Sequence, residues 1–135
     1  MMQKLRAWDK EEKRMWNVEI LYIEDEWVKV NDGSIYGETK DLVRNYELMR
    51  SMGLTNKLGD EIYEGDILEI LELNNNKYIY GELIYKNGVF GLKNEEINYD
   101  NNDKRDIIPL NEIGQVYKVI GNKYETPELI GGYTK

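Results

Sequence analysis

Apolar and polar residues alternate along most of the chain, and this alternation is the main structural signal in the sequence. Val18, Ile20 and Tyr22 recur at every second position, the spacing typical of a strand with one buried face. The pattern predicts a mainly β protein in which no amphipathic helix is unambiguous. Comparable alternating segments lie at residues 4–9, 26–31, 46–52, 78–86, 89–93 and 115–120.

Three further features of the pattern refine this prediction. The segment 67–73 is apolar at odd and even positions alike, which predicts a strand buried on both faces. The pair Asn87-Gly88 separates two strand-like segments and is typical of a two-residue hairpin turn. Pro109 lies in the short apolar segment 107–110 and confines it to a sheet edge or a strand start, because proline has no N–H to donate.

The segment before the first glycine-rich stretch has two interpretations. Leu42, Tyr46 and Met49 fit a helical spacing, whereas the alternation that begins at Tyr46 fits a strand. We favour a strand from about residue 46 and keep a helical turn open for residues 41–45.

The stretch 53–68 contains three glycines, Gly53, Gly59 and Gly65, that punctuate short apolar segments. Glycine adopts a positive φ without steric cost, so each one indicates a tight corner. We therefore expect a turn, a short strand at Ile62-Tyr63, a second turn at Gly65 with a positive φ, and then a long strand.

Three segments of the chain resemble the YopX family of phage and prophage proteins. They are Lys4–Asp9, with the sequence KLRAWD, the central stretch Gly53–Leu68, and Val119–Leu129, with the sequence VIGNKYETPEL. They occur in the order of the family and together span almost the whole chain. The chain departs from the family pattern at Ser51-Met52, where the family has Tyr-Thr, and at Asn56, where the family has Asp.

The resemblance implies a fold and an origin but no activity. The implied fold is a small SH3-like barrel with additional N-terminal and C-terminal strands and little helix, in a single domain over residues 1–135. Its core motif is 53–68. Independently of the resemblance, the polar composition of the loop 94–106 predicts disorder or a variable insertion there. The family is of phage origin and has no established activity, so the resemblance transfers no catalytic residue.

Composition excludes several kinds of chemistry. The chain has no His and no Cys, which removes imidazole and thiolate ligands and histidine acid–base catalysis. With 26 acidic against 18 basic residues, the net charge is -8, which disfavours binding to a phosphate backbone. The glycines of 53–68 lack the Lys-Ser/Thr of a phosphate-binding loop. We expect no cofactor, no metal and no enzymatic activity.

The candidate interaction surface consists of Arg6, Trp8, Tyr63, Glu64 and Asp66. Arg6 and Trp8 share one face of a predicted strand. They form either an aromatic and cationic binding patch or a packed Trp8 ring that the Arg6 guanidinium covers. Packing is the favoured alternative here and at Tyr63. The acidic run 60–72 is either a solvated strand face, which we favour, or a surface for a basic partner.

Two functions of different classes remain. The favoured hypothesis is a cytoplasmic, non-catalytic module that binds a host or phage protein and self-associates through exposed strand edges. The alternative is an acidic mimic of nucleic acid that occupies a basic host DNA-binding protein. We expect no direct binding of nucleic acid, because of the net negative charge. We also expect no membrane span, because no apolar stretch approaches ~20 residues.

Overall fold

The computed structural model describes residues 4–34, 37–55, 59–72, 77–94, 104–114 and 117–131. Backbone contacts divide the chain into two compact units, Met1–Gly53 and Leu54–Lys135. Most described residues lie in strands, and the strands form two antiparallel sheets. The mainly β fold predicted from the alternation is confirmed.

The first unit is built on one antiparallel sheet in which the strands follow the order β4-β3-β2-β1-β5. The first four strands are sheet neighbours in sequence order, and β5 returns to the free side of β1. Ala7 therefore lies between Trp16 of β2 and Leu48 of β5. The strands are β1 (Leu5–Asp9), β2 (Arg14–Tyr22), β3 (Trp27–Asn31), β4 (Glu38–Leu42) and β5 (Tyr46–Thr55).

One face of this sheet carries the core of the first unit. Burial of Tyr46 raises the pKa of its hydroxyl to about 12, and the charges of Asp41 and Asp9 add to the shift. Burial of the apolar side chains of this core is the main source of its stability, at about 25 cal/mol per Å² of apolar surface removed from water. The buried members of the core come from four strands and are Ala7, Trp16, Val28, Val30 and Tyr46.

A β-bulge interrupts the alternation of β2 between Val18 and Ile20. Val18 is opposite the buried Val30, whereas Ile20 is opposite Lys29. Directly opposed residues share a face of the sheet, so the bulge turns Ile20 away from the core, where it is 43% exposed. The prediction that Val18, Ile20 and Tyr22 continue one uninterrupted face is therefore wrong, because the extra residue of a bulge shifts the alternation.

The segment with two interpretations contains both of the predicted elements. A 3₁₀ helix, Val43–Asn45, is followed directly by β5 from Tyr46. Residues 46–50 pair with β1 along their length, and this pairing satisfies backbone groups that a helix would otherwise have to satisfy. The favoured interpretation is confirmed.

The second unit contains a five-stranded antiparallel sheet with the order β10-β9-β8-β7-β11. The long strand β8 pairs with β7 through its first half and with β9 through its second half. Two short helices flank the last strand. The elements are β6 (Glu61–Tyr63), β7 (Asp66–Leu71), β8 (Tyr78–Lys86), β9 (Val89–Lys93), β10 (Ile107–Pro109), α1 (Leu110–Ile113), β11 (Tyr117–Asn122) and α2 (Glu128–Gly131).

Strand β7 pairs with β8 on one side and with β11 on the other. Its consecutive residues Ile67 and Leu68 point to opposite faces, and both are fully buried. The prediction of a strand buried on both faces is confirmed. The other fully buried apolar side chains of this unit are Ile62, Ile70, Leu83, Leu92, Ile108 and Ile113.

The hairpin and edge predictions for the second sheet are also confirmed. Asn87 and Gly88 both have positive φ angles, 53° and 81°, as a two-residue hairpin turn requires. Pro109 lies in β10, the outer strand of the sheet, opposite Gly91. A β-carbon at Gly91 would overlap the backbone oxygen of Ile108, so the close approach of these two strands requires glycine.

The closed barrel implied by the family resemblance is not confirmed. In the described part of the chain, β10 and β11 are the outer strands of the second sheet, and neither sheet closes on itself. The single domain over residues 1–135 stays a prediction. Asn56, the end of the predicted strand 67–73, residues 95–103 of the polar loop and residues 115–116 lie outside the described residues.

Candidate functional site

The turn between β6 and β7 is held by three strong structural constraints. Gly65 has a φ of 90°, which confirms the positive φ predicted for it. Its N–H donates to the carbonyl of Leu83 at 2.7 Å. The backbone N–H of Tyr63 donates to the carboxylate of Asp66 at 2.9 Å, and Asp66 is 2% exposed. The Asp66 carboxylate thus has a structural role at this turn.

A second tightly bonded turn follows β11. The side-chain oxygen of Asn122 accepts hydrogen bonds from the backbone N–H groups of Tyr124 and Glu125, at 3.0 and 2.9 Å. Its amide nitrogen donates to the Glu125 carboxylate at 2.6 Å. The Asn122 N–H donates to the Thr126 hydroxyl at 3.0 Å. A β-carbon at Gly121 would overlap that hydroxyl, so glycine is needed beside Asn122.

These two turns contact each other at one end of the second sheet, and we call them the turn pair: residues 63–66 and 121–126. Asp66 is directly opposite Asn122 in the pairing of β7 with β11. The N–H of Lys123 donates to the carbonyl of Gly65 at 2.8 Å. Both backbone polar groups of Gly65 are therefore bonded, to Leu83 on one side and to Lys123 on the other.

An ion pair between a buried carboxylate and a half-exposed ammonium lies beside the turn pair. Glu82 is 6% exposed, and its carboxylate is 3.5 Å from the ammonium of Lys123. That ammonium also lies 5.1 Å from the centre of the Tyr124 ring. Burial lowers the pKa of Lys123, but the Glu82 charge and Tyr124 outweigh it, and the pKa is raised. Lys123 thus stays a cation and neutralises Glu82.

The predicted surface residues of the first unit differ in exposure. Trp8 is only 7% exposed, which favours the packing alternative for this ring. Arg6 is half-buried, and its Nε donates to the sulfur of Met49, which is opposite it on β5, at 3.4 Å. Arg6 is therefore the less buried member of this pair.

The predicted surface residues of the second unit belong to the turn pair. Tyr63 and Glu64 are half-buried, whereas Asp66 is buried and bonded to the backbone. The candidate surface as a whole stays a prediction, and its accessible members in this unit are Tyr63 and Glu64.

Sequence reasoning missed an exposed patch on the first sheet, on the face opposite the core. We call it the outer patch: Ile20, Tyr22, Ile23, Trp27 and Lys40. Tyr22 and Trp27 are directly opposite each other, and the Lys40 ammonium lies 4.5 Å and 5.7 Å from their ring centres. Ile23, in the adjoining turn, is 80% exposed. Apolar patches of this kind on a polar surface are typical of interaction sites.

Two other kinds of site are absent from the described part of the chain. No three acidic side chains are grouped in a way that would hold a metal ion. None of the described helices has the length and apolar character needed to cross a membrane.

Comparison with known proteins identifies the family. The family model described as "YopX protein" matches residues 4–131. The chain belongs to the YopX family. No similar protein is found among curated proteins.

Two solved structures are similar to this chain over nearly its whole length. Protein EF1440 from Enterococcus faecalis is 28% identical, with a TM-score of 0.61, over 96% of this chain and 99% of its own. Protein yopX from Bacillus subtilis is 21% identical, with a TM-score of 0.58, over 96% and 97%. The second comparison supports the fold alone.

The YopX resemblance of the sequence has a structural basis in the turn pair. The central motif contributes Gly65 and Asp66, and the C-terminal motif contributes Asn122 and its neighbours. Glu82 lies in neither motif, and only its acidic character on an otherwise apolar strand would have singled it out. The outer patch is hidden from pattern analysis by the bulge in β2.

Proposed function

We propose that this member of the YopX family is a phage- or prophage-encoded interaction module that binds a host or phage protein and performs no catalysis. The observation that carries the proposal is the outer patch of the first sheet. Two facing aromatic rings, an exposed isoleucine and a lysine stacked on the rings combine apolar area with a polar handle. Aromatic anchors of this type dominate the energy of protein interfaces.

The buried polar groups support a role without chemistry. The Asp9 carboxylate accepts hydrogen bonds from the N–H groups of Glu11 and Glu12, both at 3.0 Å. Asp66 accepts from the backbone in the same way, and Glu82 is neutralised by Lys123. These carboxylates hold turns and an ion pair, whereas a catalytic acid has to reach the substrate.

Charge indicates the chemistry of the partner. The chain has a net charge of -8, and complementary charge increases the rate at which partners associate. We therefore expect a basic protein that presents an apolar side chain to the outer patch. The bacterial cytoplasm is the proposed location of this encounter.

An SH3-like arrangement of the second unit is part of the proposal. The strands β7, β8, β9 and β10 follow one another, a helical turn precedes β11, and β11 pairs back onto β7. The same connectivity relates the five strands of an SH3-like barrel. SH3-like barrels are often binding domains, although a fold alone does not decide a function.

The test is capture from bacterial lysate followed by direct binding with the purified partner. Ile23→Asp places a charge in the outer patch, and Val89→Asp is the matched control, because it introduces the same charge at an exposed apolar residue of the other unit. We expect Val89→Asp to bind as the wild type does and Ile23→Asp to bind about tenfold more weakly.

Two outcomes would contradict the proposal. If all three proteins bind the purified partner equally, the outer patch is not the interface. If the captured protein is a DNA-binding protein that is released by salt and by competing DNA, the nucleic-acid mimic is the better description.

A further inference from the structure

Strand β4 forms an exposed edge of the first sheet. It pairs with β3 alone in the described part of the chain, and Glu38, Thr39 and Lys40 are exposed. An edge strand presents unpaired N–H and C=O groups that can pair with another strand. Most residues of β4 are charged. Charges on an edge strand oppose pairing with most other strands, but they permit pairing with a strand of complementary charge.

The hydrogen bonds at both ends of the β3–β4 ladder show which backbone groups face outward. Asp32 N–H donates to Gly37 O at 3.0 Å, and Val43 N–H donates to Glu26 O at 2.8 Å. Hydrogen-bonded pairs alternate along an antiparallel ladder. Thr39 therefore bonds to β3.

The residues on either side of Thr39 have the opposite orientation. The backbone N–H and C=O groups of Glu38 and Lys40 point away from β3, towards the open edge of the sheet. These two residues supply the free donors and acceptors of the edge.

Charge selects one way in which two copies of β4 can pair. A two-fold register centred on Lys40 places two lysines opposite each other, and one centred on Asp41 places two aspartates opposite each other; both are unfavourable. A register centred on Thr39 places Glu38 opposite Lys40 of the other copy, twice. It also places Asp41 opposite Gly37, which has no side chain.

We propose that a second copy of this chain adds to β4 as an antiparallel strand, in a two-fold register centred on Thr39. The outward groups of Glu38 and Lys40 form two hydrogen-bonded pairs, each exchanging two bonds. Both side chains already lie on the outer face of the sheet, where Glu38 contacts Lys29 and Lys40 covers Tyr22. The two sheets become one continuous sheet across the two-fold axis.

This inference names a partner for the backbone groups of β4, which the proposed function does not use, although Lys40 also belongs to the outer patch. It is tested on the purified protein alone. Sedimentation at rising concentration and low salt is expected to show a weak monomer–dimer equilibrium. Lys40→Glu places Glu opposite Glu and is expected to raise the Kd by about tenfold or more. Glu38→Lys has the same effect with the opposite charge.

Mixing the two charge variants provides the decisive measurement. An equimolar mixture of Lys40→Glu and Glu38→Lys restores opposite charges in both pairs and is expected to dimerise where each variant alone does not. Lys118→Glu, on the exposed part of β11, is the control for net charge and is expected to dimerise as the wild type does. A wild-type monomer at every concentration, or a mixture that stays monomeric, overturns the proposal.

A cysteine variant tests the register itself. The chain has no cysteine, so Thr39→Cys can form a disulfide only between two copies. Residues opposed in a non-hydrogen-bonded pair have Cα atoms about 4.5 Å apart, within the range of a disulfide. We expect rapid cross-linking of Thr39→Cys and little of Lys118→Cys. Equal rates for the two variants would refute the register, whatever the lysate experiment finds.

Discussion

Replacement of Gly65 by valine tests the most constrained corner of the chain. Gly65 has a φ of 90°, and its N–H and C=O are bonded to Leu83 and to Lys123. A β-branched residue rarely adopts this φ. The turn cannot rotate to a negative φ without giving up its hydrogen bonds to β8 and to the turn after β11. Gly65→Val therefore either strains the backbone or breaks those bonds.

Both responses cost a similar amount of free energy. Backbone strain at a disfavoured φ costs about 1–3 kcal/mol, and the loss of two hydrogen bonds costs about 0.5–1.5 kcal/mol each. Valine also lowers the conformational entropy of the unfolded chain, which offsets about 0.4–1 kcal/mol of this loss of stability. We expect a net loss of about 1–2 kcal/mol in the free energy of unfolding. For a chain of this length the Tm falls by about 4–8 °C.

Thermal unfolding followed by circular dichroism measures this loss, and Gly65→Asn is the matched control. Asparagine tolerates a positive φ far better than valine, so we expect the asparagine variant to lose less than half as much stability. A valine variant with a wild-type Tm would refute the claim that the positive φ of Gly65 constrains this turn. Equal losses in the two variants would show that side-chain volume, and not φ, is the cause.

Three other outcomes are expected. Asn122→Ala removes three side-chain hydrogen bonds of the turn pair and should lower the free energy of unfolding by about 1–3 kcal/mol in urea titrations; an unchanged midpoint would contradict it. Hydrogen bonds from Ser34 and Arg14 lower the pKa of Asp32 to about 2, so its stabilising contribution is present above its unfolded pKa and is lost as the pH falls towards 2. Carbon-13 NMR should show Ser34→Ala raising that pKa. At low salt, which favours even weak phosphate contacts, we expect no gel shift of DNA or RNA, and a shift that disappears as salt rises would refute this.

Sequence patterns could predict the elements whose causes are local. Glycine corners, the Asn87-Gly88 hairpin and the edge position of Pro109 each follow from the conformational limits of one or two residues. The burial of β7 on both faces follows from apolar residues at odd and even positions of one short run. In these places local preference and the final fold agree.

The features that sequence patterns could not predict depend on distant partners. The bulge in β2 exists because Val18 and Ile20 pair with consecutive residues of β3, and a count along one strand cannot reveal how the other strand aligns. The same holds for the ion pair of Glu82 with Lys123, whose two residues are brought together only by β7 lying between β8 and β11. The intrinsic preferences of the residues along one strand therefore predict neither the bulge nor the ion pair.

The positions of the YopX motifs separate what specifies the fold from what would specify a partner. The central and C-terminal motifs supply Gly65, Asp66 and Asn122, which bond to backbone groups and fix the turn pair. The outer patch and the β4 edge lie between the N-terminal and central motifs, outside every motif. We therefore expect the motifs to specify the framework and the residues between them to specify the partner. Experiments on binding should for this reason begin at β2, β3 and β4.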